Sequence, residues 1–177
     1  MSPSDANITL CNATPDDLPR VKNLVPYYIY DMSEHMGWPC TADGRFDGCN
    51  GMEKYWSDAG KHAFMLRVGD DADGEIAGFV LVLADNAEAD VDFSITEFLV
   101  LRKFRRRSVG ERVARELFHR FRGRWKVEQL AANTPAVAFW TTVITRFTGG
   151  RFERGSADSE CGSLNVLRFN SGNDAAV

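Results

Sequence analysis

The chain has 177 residues, of which 44% are hydrophobic and 26% are charged, a composition typical of an ordinary soluble globular protein. This length suits one domain with a sizeable core. The formal net charge is −4, whereas a protein that holds DNA or RNA along a broad face usually carries a basic excess. The composition therefore argues against nucleic-acid binding.

The sequence predicts a cytoplasmic protein without membrane spans or metal sites. The N-terminal residues MSPSDANITLC lack the basic start and apolar core of a signal peptide. No apolar run approaches the roughly 20 residues that cross a bilayer. The cysteines form no C-x-x-C pair and no histidines follow at zinc spacing, so we expect free, reduced thiols and no metal. A Cys40–Cys49 disulfide stays open as the alternative.

In the first half of the chain, the short run ITLCNAT predicts a strand, and Thr14 and Pro15 then predict the start of a helix. Apolar residues follow at helical spacing, and Pro26 is expected to kink or interrupt that helix. The stretch 37–51 is rich in turn formers and predicts a loop. A short helix around MEKYWSDAG and three strands follow: HAFMLRVGD, GEIAGFVLVLAD and DVDFSITEFLVL, the first two joined by the turn DDADG.

In the second half, a helix is predicted from Ser108, with Gly123 ending it. The strand WKVEQLAAN comes next. A last helix begins at Thr134 and stops at Gly149, and the strands RFERGS and GSLNVLRFNS close the domain, with 170–177 as a frayed tail. This order predicts a single α/β (α+β) domain over residues 1–177, with a mixed, mostly antiparallel sheet and helices on both faces.

A basic run lies between the strand ITEFLVL and the helix that starts at Ser108. Five of the six residues 102–107 are Lys or Arg. A nucleic-acid patch, a solvated charged face and a cradle for one phosphorylated ligand are the three alternatives. The first backbone N–H groups of a helix have no partner within it and lie at the positive end of its dipole, so a strand, a basic turn and a helix start suit a diphosphate.

This turn resembles the acetyl-CoA motif of the GNAT superfamily of N-acetyltransferases, commonly Arg/Gln-x-x-Gly-x-Gly/Ala. Here it runs from Arg105 to Gly110, with Ser108 in place of the first glycine. The segment NTPAVAFW resembles the family's Asn-x-x-Ala-x-x-Phe-Tyr, with Trp140 in place of the tyrosine. The element order fits across nearly the whole chain, and YYIYDMSE resembles the first helix of a small group of bacterial members.

The resemblance implies that acetyl-CoA is the cofactor. It places the pantetheine arm along Phe98, Leu99 and Val100 of a splayed strand. The pyrophosphate would lie on the turn, and a further group would border the arm and the thioester. The turn residues are Arg105, Arg106, Arg107, Ser108, Val109 and Gly110, and the bordering residues are Asn133, Ala136, Phe139 and Trp140.

For the chemistry, Glu97 is the candidate base, because burial on an otherwise apolar strand would raise its pKa. A solvent-facing or arginine-paired Glu97 is the alternative. Since Trp140 cannot protonate a thiolate, a tyrosine of the first helix, with Tyr28 as the named candidate, is the candidate acid. The alternatives are that the thiolate leaves unaided into water and that these tyrosines serve packing or substrate contact. Tyr27, Tyr30, Asp31 and Glu34 are candidate contacts to the acceptor, and an exposed polar helix end is their alternative.

The resulting prediction is an enzyme that transfers an acetyl group from acetyl-CoA to a small amine or a protein amine in a ternary complex. A non-catalytic acyl-CoA-binding or sensor protein is the nearest alternative, and a nucleic-acid-binding module a more distant one. Homodimers are common in the family, and the sequence leaves the oligomeric state open.

Overall fold

The computed structural model describes residues 7–69, 74–84 and 88–172. The element order is the predicted one, with two short 3-10 turns, at Pro15–Asp17 and Arg102–Phe104. The predicted turn 70–74 lies mostly outside the described residues. The helices and strands are β1 (Ile8–Asn12), α1 (Leu18–Met36), α2 (Lys54–Ser57), β2 (Lys61–Val68), β3 (Ile76–Ala84), β4 (Phe93–Val100), α3 (Val109–Arg120), β5 (Arg124–Leu130), α4 (Thr134–Thr148), β6 (Glu153–Ser159) and β7 (Gly162–Asn170).

One seven-stranded sheet, in the order β1-β2-β3-β4-β5-β7-β6, organises the fold. The pair β4–β5 is parallel and the other neighbouring strands are antiparallel. The mixed, mostly antiparallel sheet predicted from the sequence is therefore confirmed. The crossover between the two parallel strands contains the basic run and α3.

The sheet is covered by helices on both faces, as predicted. In β2 and β3, successive side chains point to opposite faces, and both faces are buried. Phe64 and Val80 belong to the core beneath α3 and α4, and Met65 and Phe79 belong to the core beneath α1. Within the described part of the chain, no helix is both long and apolar enough to cross a membrane.

The central strands β4 and β5 pair over only part of their length. Their ladder runs from Phe93–Trp125 to Ile95–Val127 and ends there, although both strands continue. On its other side, β4 has a bulge at Thr96, which lies between the pairs Leu81–Glu97 and Val82–Ile95. The Thr96 hydroxyl donates a hydrogen bond to the carbonyl oxygen of Leu81 (3.2 Å). A bulge bends its strand, and here it stands where β4 leaves β5.

Three local predictions need correction or qualification. Pro26 does not interrupt α1, because the loss of one backbone hydrogen bond is offset by the buried side chains Val21, Val25 and Ile29 on its core face. The helix α3 ends at Arg120, before Gly123. Two residues of the expected tail are ordered: Asn170, the last residue of β7, pairs with Arg124 of β5, and Ser171 is buried. The Oγ of Ser171 accepts a hydrogen bond from the Trp125 indole (3.1 Å). Residues 173–177 lie outside the described range.

Replacing Gly78 by alanine should disrupt the β3–β4 pair. A Cβ at this position would lie 1.9 Å from the carbonyl oxygen of Leu99, and φ is +157°. We expect Gly78→Ala to lower the free energy of unfolding by at least about 2 kcal/mol, measured by urea titration. The control is Gly150→Ala, where φ is +84° but the added Cβ meets no atom within 4 Å. Equal losses in the two variants would show that the close contact is not the cause.

Candidate active site

A cavity of about 800 Å³ opens where β4 and β5 separate. The diverging halves of the two strands form its floor, and the start of α4 borders it on one face of the sheet. On the other side it is bordered by α1, by the loop between α1 and α2, and by the turn between β6 and β7. The lining residues include Tyr28, Trp38, Phe46, Asp47, Cys49, Glu97, Phe98, Lys126, Glu128, Gln129, Asn133, Ala136, Trp140 and Cys161.

Glu97 is the carboxylate that β4 contributes to this cavity. It is half-buried, and its Oε1 accepts a hydrogen bond from the Sγ of Cys49 (3.6 Å). Burial raises the pKa of Glu97, while hydrogen bonds from Tyr28 and Cys49 partly oppose that shift. Its hydrogen-bond partners are thus a phenol and a thiol rather than an arginine.

The two donors to Glu97 remain protonated at neutral pH. Burial, together with the nearby Glu97 charge, raises the pKa of Tyr28 well above its usual value. The same two causes, burial first, raise the pKa of Cys49 to about 12. Both groups can therefore donate hydrogen bonds, and the Cys49 thiol is a poor nucleophile because the thiolate is the reactive form.

The turn between β4 and α3 has an unusual backbone. Arg106 and Ser108 have φ values of +60° and +56°, in the left-handed region that non-glycine residues rarely adopt. Successive N–H groups in such turns converge to form a concave anion site. The side chains of Arg105, Arg106 and Arg107 are exposed around it.

Gly110, in the first turn of α3, packs closely against α4. A Cβ there would lie 3.0 Å from the ring of Phe139. The Phe139 ring of α4 thus occupies the space that a side chain at position 110 would need. The last position of the motif therefore fixes the contact between α3 and α4.

Asp31 of α1 binds two residues of the basic run. Its Oδ1 accepts from Nε (3.0 Å) and Nη2 (2.7 Å) of Arg102, and its Oδ2 accepts from Arg105. Burial opposes ionisation, but the bonds from Arg105 and Arg102 hold the pKa of Asp31 below its usual range. The Nε of Arg105 also donates to the carbonyl oxygen of Val100 (2.6 Å). Asp31 thus lies against the basic run and not in the cavity wall, and its predicted part in acceptor binding stays a prediction.

These features fit an elongated ligand that carries amides at one end and phosphates at the other. Beyond Ile95, the edge of β4 that faces β5 has no ladder partner, so backbone groups there, other than the Val100 carbonyl oxygen that accepts from Arg105, remain available to a ligand's amides. The left-handed turn and the start of α3 come directly after this edge. Among the described residues, no group of three or more His, Cys, Asp or Glu could hold a metal ion.

The model of the acetyltransferase (GNAT) family matches residues 27–143, about two thirds of the chain. The chain belongs to the GNAT family. No curated protein matches it in sequence. The matched region includes the second half of α1, the splayed strands, the basic turn and most of α4, and therefore the whole of the Tyr28, Cys49 and Glu97 cluster.

Solved structures show the same fold at low sequence identity. A spermidine N-acetyltransferase from Vibrio cholerae, in complex with CoA and spermine, has 14% identity and a TM-score of 0.63, covering 93% of this chain and 95% of its own. NAA60 from Arabidopsis thaliana, in complex with a bisubstrate analogue, has 13% identity and a TM-score of 0.59, covering 93% and 98%. A Desulfovibrio desulfuricans protein assigned to the GNAT family has 12% identity and a TM-score of 0.62, covering 93% and 99%.

The remaining predicted cofactor residues occupy distinct places in this GNAT fold. Asn133 and Ala136 line the cavity, and the Asn133 side chain also caps α4 by accepting from the Ala136 N–H (3.1 Å). Trp140 is buried, with its ring 5.0 Å from that of Phe98. Leu99 and Val100 lie in opposite cores of the sheet, so their contribution to a ligand would come from the backbone. The splay expected at Phe98 begins earlier, after Ile95.

The candidate acceptor residues of α1 lie outside the cavity wall. Tyr27 and Tyr30 are 65% and 56% exposed, and Glu34 is exposed. Tyr28, in contrast, lines the cavity and packs edge-on against Phe79. The structure therefore separates Tyr28 from the other two tyrosines of YYIY, which share its helix but not its face.

Sequence reasoning missed two polar residues of the cavity. Cys49 was considered only as a possible disulfide partner of Cys40, and in the structure neither cysteine forms a disulfide. Gln129 is 5% exposed; its Nε2 donates to the carbonyl oxygen of Val127 (2.9 Å), and its Oε1 has no partner among the described residues. The strand pattern WKVEQL, with Gln129 two residues after Val127 on the buried face, was the available signal.

The left-handed backbone of Ser108 predicts a stabilising substitution. We expect Ser108→Gly to raise the free energy of unfolding by about 0.5–1 kcal/mol, because glycine adopts this conformation without a steric penalty. Urea titration measures the change. Ser108→Ala is the control, since alanine has the same penalty, and it should give no gain. A loss of stability in the glycine variant would show that the serine side chain contributes more than its backbone strain costs.

Proposed function

We propose that this protein transfers an acetyl group from acetyl-CoA to a primary amine by direct attack in a ternary complex. The observation that supports this most is the position of Glu97. It is a carboxylate with a raised pKa, in the wall of a cavity of about 800 Å³, at the point where the central strands separate. A raised pKa brings a carboxylate toward the range in which it can work as a general base near neutral pH.

In this proposal, acetyl-CoA lies between β4 and β5. The open edge of β4, at Phe98 and Val100, binds the pantetheine amides, and the N–H groups from Arg106 to Gly110 bind the pyrophosphate with help from the exposed arginines. Asn133, Ala136 and Trp140 border the arm from the α4 side. When bound, acetyl-CoA supplies the thioester carbonyl that the amine attacks.

Tyr28 and Glu97 carry out the two proton transfers of the reaction, from the amine and to the leaving sulfur. Glu97 accepts the proton that the attacking amine nitrogen gives up. The hydroxyl of Tyr28 donates its own proton to the departing sulfur and recovers one from Glu97 through their hydrogen bond. Backbone N–H groups of β4 stabilise negative charge on the carbonyl oxygen. The pKa of about 12 for Cys49 favours this direct route over an acetyl-cysteine, because the thiol stays protonated.

A cationic amine suits the acidic lining of the cavity. Glu97, Asp47 and Glu128 contribute carboxyl groups, and the one lysine of the lining, Lys126, is paired with Glu88 and lies 3.4 Å from Glu128. The neighbouring structures include an enzyme named for spermidine and solved with spermine. These observations support a small amine, and a protein amine stays open.

A non-catalytic acyl-CoA-binding protein is the second candidate. The observation that favours it is Trp140, which is buried in the core and has no acidic proton to offer a thiolate. The two candidates differ in turnover and not in acetyl-CoA binding, so they require separate measurements.

Calorimetric titration with acetyl-CoA tests the binding site. We expect saturable binding by the wild-type protein and about ten- to hundredfold weaker binding by Arg107→Ala, because a charge-assisted phosphate contact is worth about 1.5–3 kcal/mol. Arg115→Ala, which removes an exposed arginine of α3 outside the turn, is the matched control and should bind as the wild type does. An unchanged affinity in Arg107→Ala would remove this side chain from the site.

Turnover with a library of amines tests the chemistry. We expect Glu97→Gln to lower kcat/KM by about a hundredfold or more, with acetyl-CoA affinity retained, and Tyr28→Phe to lower kcat.

Since Glu97 acts in its ionised form and its pKa is raised, wild-type kcat/KM should increase with pH above the usual Glu range, and Glu97→Gln should lose this dependence. Glu116→Gln, which removes an exposed carboxylate of α3 outside the cavity, is the control and should keep the wild-type kcat/KM. Binding of acetyl-CoA without turnover of any amine would favour the non-catalytic candidate.

A further inference from the structure

The loop between α1 and α2 contacts the candidate base through one side chain. Cys49, 48 residues before Glu97 in the chain, places its Sγ 3.6 Å from the Glu97 Oε1, within the wall of the cavity. This is the thiol donating to the carboxylate, since burial and the Glu97 charge keep its proton in place. The contact joins the loop between α1 and α2 to the strand β4, both in the wall of the same cavity.

The backbone at Cys49 is held in a costly conformation. Its φ is +54°, a left-handed value that favours glycine, and yet the chain has a cysteine there. Strained residues of this kind concentrate at functional sites, where the surrounding structure holds them in place. The Cys49 side chain packs against the core beneath α1 and contacts Glu97 through its thiol, and a glycine would make neither contact.

The preceding residue explains how the loop is fixed. A Cβ at Gly48 would lie 2.7 Å from the Cδ1 of Ile29, so the loop backbone lies directly against α1. Ile29 follows Tyr28, the second donor to Glu97. The close approach at Gly48 therefore brings the thiol of the loop and the phenol of the helix to the same carboxylate.

We propose that Cys49 is a positioning residue, whose S–H group holds the Glu97 carboxylate in orientation and tunes its proton affinity for the acetyl transfer. This inference rests on the proposed function of Glu97 as the base. Two neutral donors, one from α1 and one from the loop, fix the carboxylate without the charge of a lysine or arginine. A movement of the loop when the acceptor enters would alter the base directly.

The other ionisable groups near Glu97 do not replace this donor. Tyr55 of α2 donates to or accepts from the Thr96 hydroxyl (2.8 Å) instead. Across the cavity, Lys126 is paired with Glu88 and lies near Glu128. The groups that donate to Glu97 are thus Tyr28 and Cys49. Tyr55 lies close enough that burial, together with the Glu97 charge, raises the pKa of its own phenol.

The test compares Cys49→Ala, Cys49→Gly and Cys49→Ser. Alanine and glycine remove the donor, so the acidic limb of kcat/KM should move to higher pH and kcat/KM at neutral pH should fall about three- to tenfold. Serine keeps an O–H donor and should stay within about twofold of the wild type. The glycine variant relieves the left-handed strain, and urea titration of every variant separates a loss of activity from a loss of stability. Cys40→Ala, an exposed thiol of the same loop, is the matched control.

CoA release is measured by chromatography, because thiol reagents would also label the exposed Cys40 and Cys161. Profiles of the alanine and glycine variants that overlay the wild type would overturn the proposal. So would a serine variant that behaves as alanine does, because the role requires a donor.

A second measurement separates this proposal from the proposed function. The side-chain carboxyl ¹³C signal of Glu97, assigned by its loss in Glu97→Gln, reports the pKa without turnover. A pKa that rises in Cys49→Ala supports the thiol contact even where no acceptor is turned over, and an unchanged pKa overturns it. A pKa that rises while the kcat/KM profile stays unchanged would overturn Glu97 as the base, and with it the catalytic part of the inference.

Discussion

The early end of the β4–β5 ladder is the constraint on which the site depends. Each strand is paired along its outer edge, β4 with β3 and β5 with β7, so the sheet stays continuous while the two inner edges diverge after Ile95 and Val127. Phe98 and Trp140, with ring centroids 5.0 Å apart, fill the space on the α4 side of this opening. The cavity, the open strand edge and the position of Glu97 all follow from this separation.

The carboxyl groups of the chain show how neighbours set ionisation. Asp17, Asp31 and Asp92 each bind arginine side chains, and the pKa of each is lowered, to about 2 for Asp92. Among the described carboxyl groups with a clear shift, Glu97 has the raised pKa, because it is buried beside neutral donors. Arg102 and Arg105 of the basic run are bound to Asp31 and not to Glu97.

Local patterns were sufficient to predict most of the fold and part of the site. Helical spacing, strand alternation and Gly or Pro signals depend on nearby residues, so the element order, the two-faced core and the site of the basic turn could be derived. The contact between Cys49 and Glu97 could not, because 48 residues separate them and a loop conformation with positive φ at Cys49 brings them together. The hydrogen bonds from two arginines to Asp31 and the packing of Phe139 on Gly110 are likewise tertiary contacts, and no local pattern predicts them.

The two departures from the GNAT motifs have different physical meanings. Ser108 adopts the left-handed conformation that a glycine would take, so the turn keeps its shape at an energetic cost. Trp140 replaces a phenol by a buried indole that packs against Phe98, so the α4 side of the cavity contributes packing and not a proton. In the proposed mechanism the proton donor comes instead from α1, through Tyr28. The proposed base Glu97, the proposed proton donor Tyr28 and the positioning thiol of Cys49 would then all lie on the α1 side of the cavity, beside the loop between α1 and α2.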